Sequence, residues 1–206
     1  GEVTRWRLEA EREKLQRELL LSQLNPHFLF NALNNVRSLI LEDADRARDM
    51  LSHLSQLLQH SLQQAGHDDV SLAQELAFTQ DYLALQALHH EDRLQVRWQL
   101  DAPDTARAVP AFCLQLLVEN AIKHGIATLV DGGVIRLESR LHNELLEVSV
   151  ENGYDPEAPA PRRSGLGLRN VRERLRARFG ATAGVVTSSE NNVFRAEMRF
   201  PCLKSE

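Results

Sequence analysis

The chain has 206 residues, 43% hydrophobic and 26% charged, which is room for one large or two small domains of ordinary composition. A formal net charge of −5 argues against general nucleic-acid binding. No apolar run reaches the ~18 residues of a membrane span, no signal peptide is visible, and Cys113 and Cys202 lie far apart in apolar surroundings, as packed thiols of a reducing compartment do.

Residues 4–41 read as one long helix. Its first half is densely charged, and Leu8, Leu15 and Leu19 give only a thin apolar seam, so residues 1–23 are expected to be a signalling helix or weak coiled coil. Pro26 removes one helical hydrogen bond and should kink the helix one residue before His27. Leu29, Leu33, Val36 and Ile40 recur at steps of four, three and four and define the expected buried face. At about 100° per residue, His27, Asn31, Asn34 and Ser38 fall roughly opposite it, which leaves His27 exposed and free to be a nucleophile. A solvated polar stripe is the plain alternative. Glu42 to Asp45 form a short acidic turn, and a second helix follows with Ala47, Leu51, Leu54 and Leu58 on one face. A lone helical hairpin cannot bury both stripes well, so residues 24–65 are expected to pair with a second copy in a four-helix bundle.

Gln63 to Asp69 is the expected linker, and residues 70–206 the second domain. Ser71 with Gln74 has the form of a capping box, so a helix is expected from about 72 to 90. Leu94, Val96, Trp98 and Leu100 alternate with period two and predict a strand. Pro110 is expected to open a helix through about 124. Strands are predicted at Val134 to Leu141 and Leu145 to Val150 around a turn near Asn143. A proline-rich loop follows from Asp155 to Pro161, then a helix from Gly165 to about Phe179, capped by Gly180. Two strands near Val185 to Ser188 and Val193 to Phe200 close the chain. The second part is therefore an α+β layer of four or five strands under three helices.

Two constellations carry chemistry. Asn120, Lys123 and His124 share one helix face, where an amide, an ammonium and an imidazole suit a metal-bound triphosphate. Glu119, one step around, can polarise a water or support proton transfer. Gly165 and Gly167 precede or open a helix, where backbone can approach an anion closely, and Arg162, Arg163 and Arg169 add positive charge. Each pattern alone is common; a mixed surface helix end and a plain tight turn are the bland alternatives. The remaining histidines, including His53, His60, His67, His89, His90 and His142, have no metal-ligand spacing with cysteine, and no GxSxG supports a serine hydrolase.

Leu24-Asn25-Pro26-His27-Phe28-Leu29-Phe30-Asn31 resembles the phosphoacceptor motif of the LytS-type sensor histidine kinases, also described as LytS/AlgZ or YehU-like. Val109 through Gly125 resembles that family's asparagine box, Gly165 through Leu175 its second glycine box, and Tyr82 through Arg93 the segment before its ATP domain. Three ordered motifs over nearly the whole chain after residue 20 make the resemblance specific. It implies a dimerisation and phosphotransfer hairpin followed by a Bergerat-type (GHKL) ATP-binding α/β sandwich. It implies autophosphorylation of His27 by ATP with Mg²⁺, and passage of the phosphoryl group to an aspartate of a response regulator, often of LytTR type. Asn120 would coordinate the metal, with Lys123 and His124 near phosphates. Gly165 and Gly167 would hold the flexible lid end, with Leu168 and Asn170 of the same box toward the nucleotide. The family is commonly tethered to the bacterial inner membrane, so this chain is expected to be a cytoplasmic catalytic core separated from an N-terminal sensor region.

Three departures from the pattern stand out. The first glycine box usually begins with an aspartate that receives the adenine amino group. Here the run is Val150-Glu151-Asn152-Gly153-Tyr154-Asp155, which lacks the second glycine and leaves the acceptor to Glu151 or Asn152. The family's Gly-Thr pair near the end of the domain is replaced by Val193-Phe194-Arg195. Phe28 follows the phosphoacceptor, where many histidine kinases carry an acid, and Asn31 sits where many carry a phosphatase-supporting Thr or Asn. The altered glycine box supports a rival reading, a dimeric pseudokinase scaffold that binds ATP weakly or not at all. A second rival is a Bergerat ATPase without histidine transfer, against which the match around His27 counts.

Overall fold

The computed structural model describes residues 26–64, 66–90, 93–101, 107–158 and 166–201, with the side chains of Pro26 and His27 left out. The expectations for residues 1–25, the Pro26 kink, Arg162, Arg163, Gly165 and Cys202 lie outside the described residues. The chain falls into two compact units, Gly1–His67 and Asp68–Glu206.

In the first unit, α1 (Pro26–Glu42) and α2 (Ala44–Gln64) are joined through Asp43 alone. Asp43 Oδ1 accepts the Arg46 amide at 3.0 Å and so starts α2 by capping one of its free N–H groups. The buried positions of α2 are Ala47, Met50, Leu54, Leu57, Ser61 and Gln64, a run of alternating three- and four-residue steps. In α1 they are Ala32 and Val36. The predicted stripes are thus rotated by part of a turn: Leu33, Ile40 and Leu51, expected in the buried face, are 50%, 56% and 52% exposed. The physical reason is the width of the apolar arc. Both helices carry more apolar side chains than one seam accommodates, and the small Ala32 and Ala47 lie in the buried seam. Asn31, Asn34 and Ser38 are exposed, as the helical spacing predicts.

The second unit begins with β1 (Asp69–Ser71) and α3 (Leu72–His89). The capping box is present: Ser71 Oγ accepts the Gln74 amide at 3.1 Å, and Gln74 Oε1 accepts the Ser71 amide at 2.9 Å. Then come β2 (Leu94–Leu100), β3 (Ala108–Pro110), α4 (Cys113–His124), a short 3₁₀ turn at Ile126–Thr128, and β4 (Gly133–His142). The chain continues through β5 (Leu145–Gly153), α5 (Leu166–Phe179), β6 (Gly184–Glu190) and β7 (Val193–Pro201). Five strands form one mixed sheet in the order β2-β4-β5-β7-β6, with β2 parallel to β4 and the other pairs antiparallel. This is the expected α+β layer, helices against one face of the sheet.

Two differences from expectation have clear causes. Pro110 does not open α4; it ends β3, which pairs antiparallel with β1 as Asp69↔Pro110 and Ser71↔Ala108. The helix starts three residues later, after Phe112 adopts φ 62°. Strand β6 extends to Glu190 because Asn191 and Asn192 both take positive φ, which makes a two-residue hairpin matched to strand twist. Asn143 and Glu144 do the same between β4 and β5.

The core lies between α4, α5 and the inner face of the sheet. Leu114, Leu117, Val118 and Ala121 of α4 and Val171 and Leu175 of α5 are buried, as are Ile135, Leu137, Val148, Val150, Met198 and Phe200 of the strands. Burying a Leu, Val or Phe side chain is worth roughly 1.5–3 kcal/mol, so this layer is the main stabilising feature of the unit. Cys113 is fully buried as a free thiol, and burial pushes its pKa up to about 12, so it behaves as a small apolar group. Among the described residues no helix is long and apolar enough to cross a membrane, and no cluster of His, Cys, Asp and Glu could hold a metal ion.

Candidate functional site

A cavity of about 580 Å³ opens between α4, α5 and one end of the sheet. Helix α4 contributes Asn120 and His124, and α5 contributes Leu168, Arg169 and Arg172. The floor is Asn152 of β5, Phe194 of β7 and Thr187 and Ser189 of β6, with Tyr154 just beyond β5. The sheet register explains why these side chains meet. Asn152 pairs with Phe194, and Phe194 with Ser189, so the three form one cross-strand row on the helix-facing side.

Strand alternation also places the two candidate acceptors on opposite faces of the sheet. Leu146, Val148, Val150 and Asn152 point to the helices, each at most 3% exposed. Glu151 therefore points the other way. It pairs with Arg136 at 3.3 Å and with Arg195 at 3.7 Å on the outer face, and does not line the cavity.

The Asn152 amide is fixed in one orientation. Its Nδ2 donates to the Gly153 carbonyl at 2.9 Å, while its buried Oδ1 has no hydrogen-bond partner. A buried acceptor of this kind carries a desolvation cost unless something donates to it. Gly125, at the end of α4, makes room for it: a Cβ there would lie 1.9 Å from Asn152 Nδ2 and 2.5 Å from the Ala121 carbonyl oxygen. Thr128 braces the same corner, donating to the Gly125 carbonyl at 2.7 Å and accepting the Asp155 amide at 3.0 Å.

The other predicted residues separate into two groups. Asn120, His124, Asn152 and Leu168 line the cavity. Burial, then the neighbouring Lys123 charge, lowers the pKa of His124 and keeps its imidazole neutral near pH 7. Lys123 itself is exposed and outside the lining, as is Asn170. Glu119 turns toward Gln115, whose Nε2 donates to it at 2.6 Å, and burial raises its pKa. Gly153 lends its carbonyl to Asn152. Gly167 sits in the first turn of α5 with nothing within 4 Å of an added Cβ, so no close approach demands a glycine there. His27 lies in the first turn of α1, in the other compact unit.

Tyr154, Arg172, Thr187, Ser189 and Phe194 were not anticipated as lining residues. Thr187 and Ser189 had a readable signal: they continue the inward period of Val185 as polar positions, which marks where a core face opens. Tyr154 Oη lies 2.7 Å from Ser189 Oγ, so the segment after β5 is tied to β6.

Known proteins share this architecture and sequence. Residues 15–94 match the family model described as histidine kinase. The chain is 35% identical over 185 residues to sensor histidine kinase BtsS of Escherichia coli (strain K12), covering 89% of this chain and 33% of that protein. It is 32% identical over 194 residues to sensor protein LytS of Staphylococcus saprophyticus, covering 88% of this chain and 33% of that protein. A solved structure described as a bacterial phosphotransferase shares the fold with a TM-score of 0.50 at 12% identity, over 89% of this chain and 95% of that one. The chain spans about a third of the length of the curated relatives it matches. With three motifs in order, an α+β sandwich and a cavity at the asparagine box, the chain belongs to the LytS-type sensor histidine kinases.

Proposed function

We propose that this chain is the kinase core of a two-component sensor, which autophosphorylates His27 from ATP and passes the phosphoryl group to an aspartate of a response regulator. The observation that carries the reading is the buried, unpartnered Oδ1 of Asn152 in the cavity that Asn120 and His124 also line. An unpartnered acceptor on a residue that lines the cavity suits the exocyclic amino group of adenine. Asn120 offers an amide oxygen of the kind Mg²⁺ accepts, and Arg169 and Arg172 supply charge for phosphates. The donor set therefore fits a metal-bound adenine nucleotide.

Bound ATP with Mg²⁺ would supply the phosphoryl group and part of the charge that holds it. The protein's contribution is positioning and electrostatics, as in other phosphoryl transfers. His27 serves as the nucleophile in its neutral form, so transfer falls at acid pH. Glu119, inside the asparagine box and with its pKa raised by burial, is the candidate proton carrier. Asn31 is four residues beyond His27 and exposed, where its amide can orient a water against the partner regulator's phosphoaspartate. The exposed Leu33, Ile40 and Leu51 supply the face for a second copy, completing a four-helix bundle. The regulator is of LytTR type, the chain contacts no nucleic acid itself, and it is the cytoplasmic part of a bacterial inner-membrane sensor. The pseudokinase rival rests on the altered first glycine box; the cavity that Asn152 lines supports the kinase reading over it.

The deciding experiment is incubation with radiolabelled ATP and Mg²⁺. Acid-labile label is expected on the wild type, none on His27→Gln, and little on Asn120→Ala with its fold retained. Equal labelling of His27→Gln would overturn the assignment.

A further inference from the structure

The inward side chains of β7 are Phe194, Ala196, Met198 and Phe200. The last three are at most 2% exposed. Phe194 alone stays partly open, and it opens into the cavity. Its cross-strand neighbour on β5 is Asn152, whose Oδ1 lacks a partner; its neighbour on β6 is Ser189, already bound to Tyr154. Directly opposed strand residues have Cβ atoms ~4.5–5.5 Å apart. A ligand group touching the Phe194 ring thus lies beside the Asn152 side chain, whose buried Oδ1 has no donor. An aromatic face beside a single fixed amide oxygen matches a planar heteroaromatic ring bearing an exocyclic amino group.

We propose that Phe194 is the base-contacting residue of this nucleotide site, acting by ring contact while Asn152 alone reads the exocyclic amino group. The inference rests on the nucleotide reading of the cavity and divides its base recognition into two separable parts. Ring contact is indifferent to the base's substituents, because every base has a π-face. The amide contact is not: Asn152 Nδ2 is engaged by Gly153, so the free atom is an acceptor that meets an amino donor and repels a carbonyl.

The test is equilibrium dialysis of the full chain with Mg²⁺ and either ADP or IDP, which carries a carbonyl in place of the amino group. The wild type is expected to prefer ADP. Phe194→Leu, which keeps apolar bulk, should weaken both nucleotides by a similar factor, roughly tenfold, and leave the preference intact; Phe194→Tyr should restore most of the affinity. Asn152→Ala should bring ADP down toward IDP and abolish the preference. Melting temperature reports folding of each variant. Unchanged affinity in a folded Phe194→Leu, or a lost preference in that variant, overturns the proposal while leaving the nucleotide site standing. A wild type that binds neither nucleotide overturns both. If Phe194→Leu does not fold, Phe194→Met replaces it, and unaltered affinity for both nucleotides there also counts against ring contact.

Discussion

Glu75, buried in α3, holds the left-handed Phe112 at the start of α4. Its Oε1 accepts the Phe112 amide at 2.5 Å and its Oε2 the Leu114 amide at 2.9 Å. The carboxylate thus replaces the side-chain cap that α4 lacks, since Phe112 itself makes none. Arg174 adds a second tie, donating to the Ala111 carbonyl at 2.6 Å. Both contacts fix the helix that carries Asn120 and His124.

This relationship gives a pH signature. Burial raises the Glu75 pKa from 4.5 to about 7 against the opposing pull of the two amides. The folded state therefore holds this proton more tightly than the unfolded state. Its contribution to stability is greatest below pH 4.5 and is lost as pH rises to about 7. The shift corresponds to about 3 kcal/mol across that window. Urea unfolding of wild type and Glu75→Gln at several pH values isolates it: the difference in stability between the two should change in favour of the variant as pH rises. Parallel curves would exclude Glu75 as the titrating group.

Gly125 and Gly167 should respond oppositely to alanine. A Cβ at Gly125 collides with the Asn152 amide and the Ala121 carbonyl, whereas one at Gly167 meets nothing within 4 Å. Gly125→Ala is expected to cost about 1–3 kcal/mol and to lose ADP affinity as Asn152 is displaced. Gly167→Ala is expected to leave stability unchanged or to raise it slightly, by about 0.4–1 kcal/mol from reduced chain entropy. Thermal melts and ADP titration of both variants check the contrast; a harmless Gly125→Ala would refute the packing argument.

The hairpin offers a third pair. Leu54 is 3% exposed and Leu33 50%. Leu54→Asp should unfold the hairpin, because an unpaired buried carboxylate costs several kcal/mol. Leu33→Asp should keep the helices and convert the proposed dimer to monomer. Sedimentation with circular dichroism separates the two outcomes. A wild type that sediments as a monomer at micromolar concentration would count against the proposed bundle.

Much of this protein is legible in the chain itself. Period-two runs locate β2, β4, β5 and β7, Ser71 with Gln74 starts α3, and positive-φ residues such as Asn143 and Gly180 end elements where expected. These signals are local: each depends on backbone preference and on neighbours within one turn or one strand. The same period, applied strictly from Val148 and Val150, turns Asn152 inward and Glu151 outward, a distinction that the motif resemblance leaves open. Tertiary structure decided the rest. Glu75 acts on amides 37 and 39 residues away, and Pro110 stays in a strand because β1 pairs with it. Phe194 enters the cavity only because three strands align it with Asn152 and Ser189. Burial and pairing across such separations are set by how layers pack, and a one-dimensional pattern carries the face a residue occupies but not the partner it meets there.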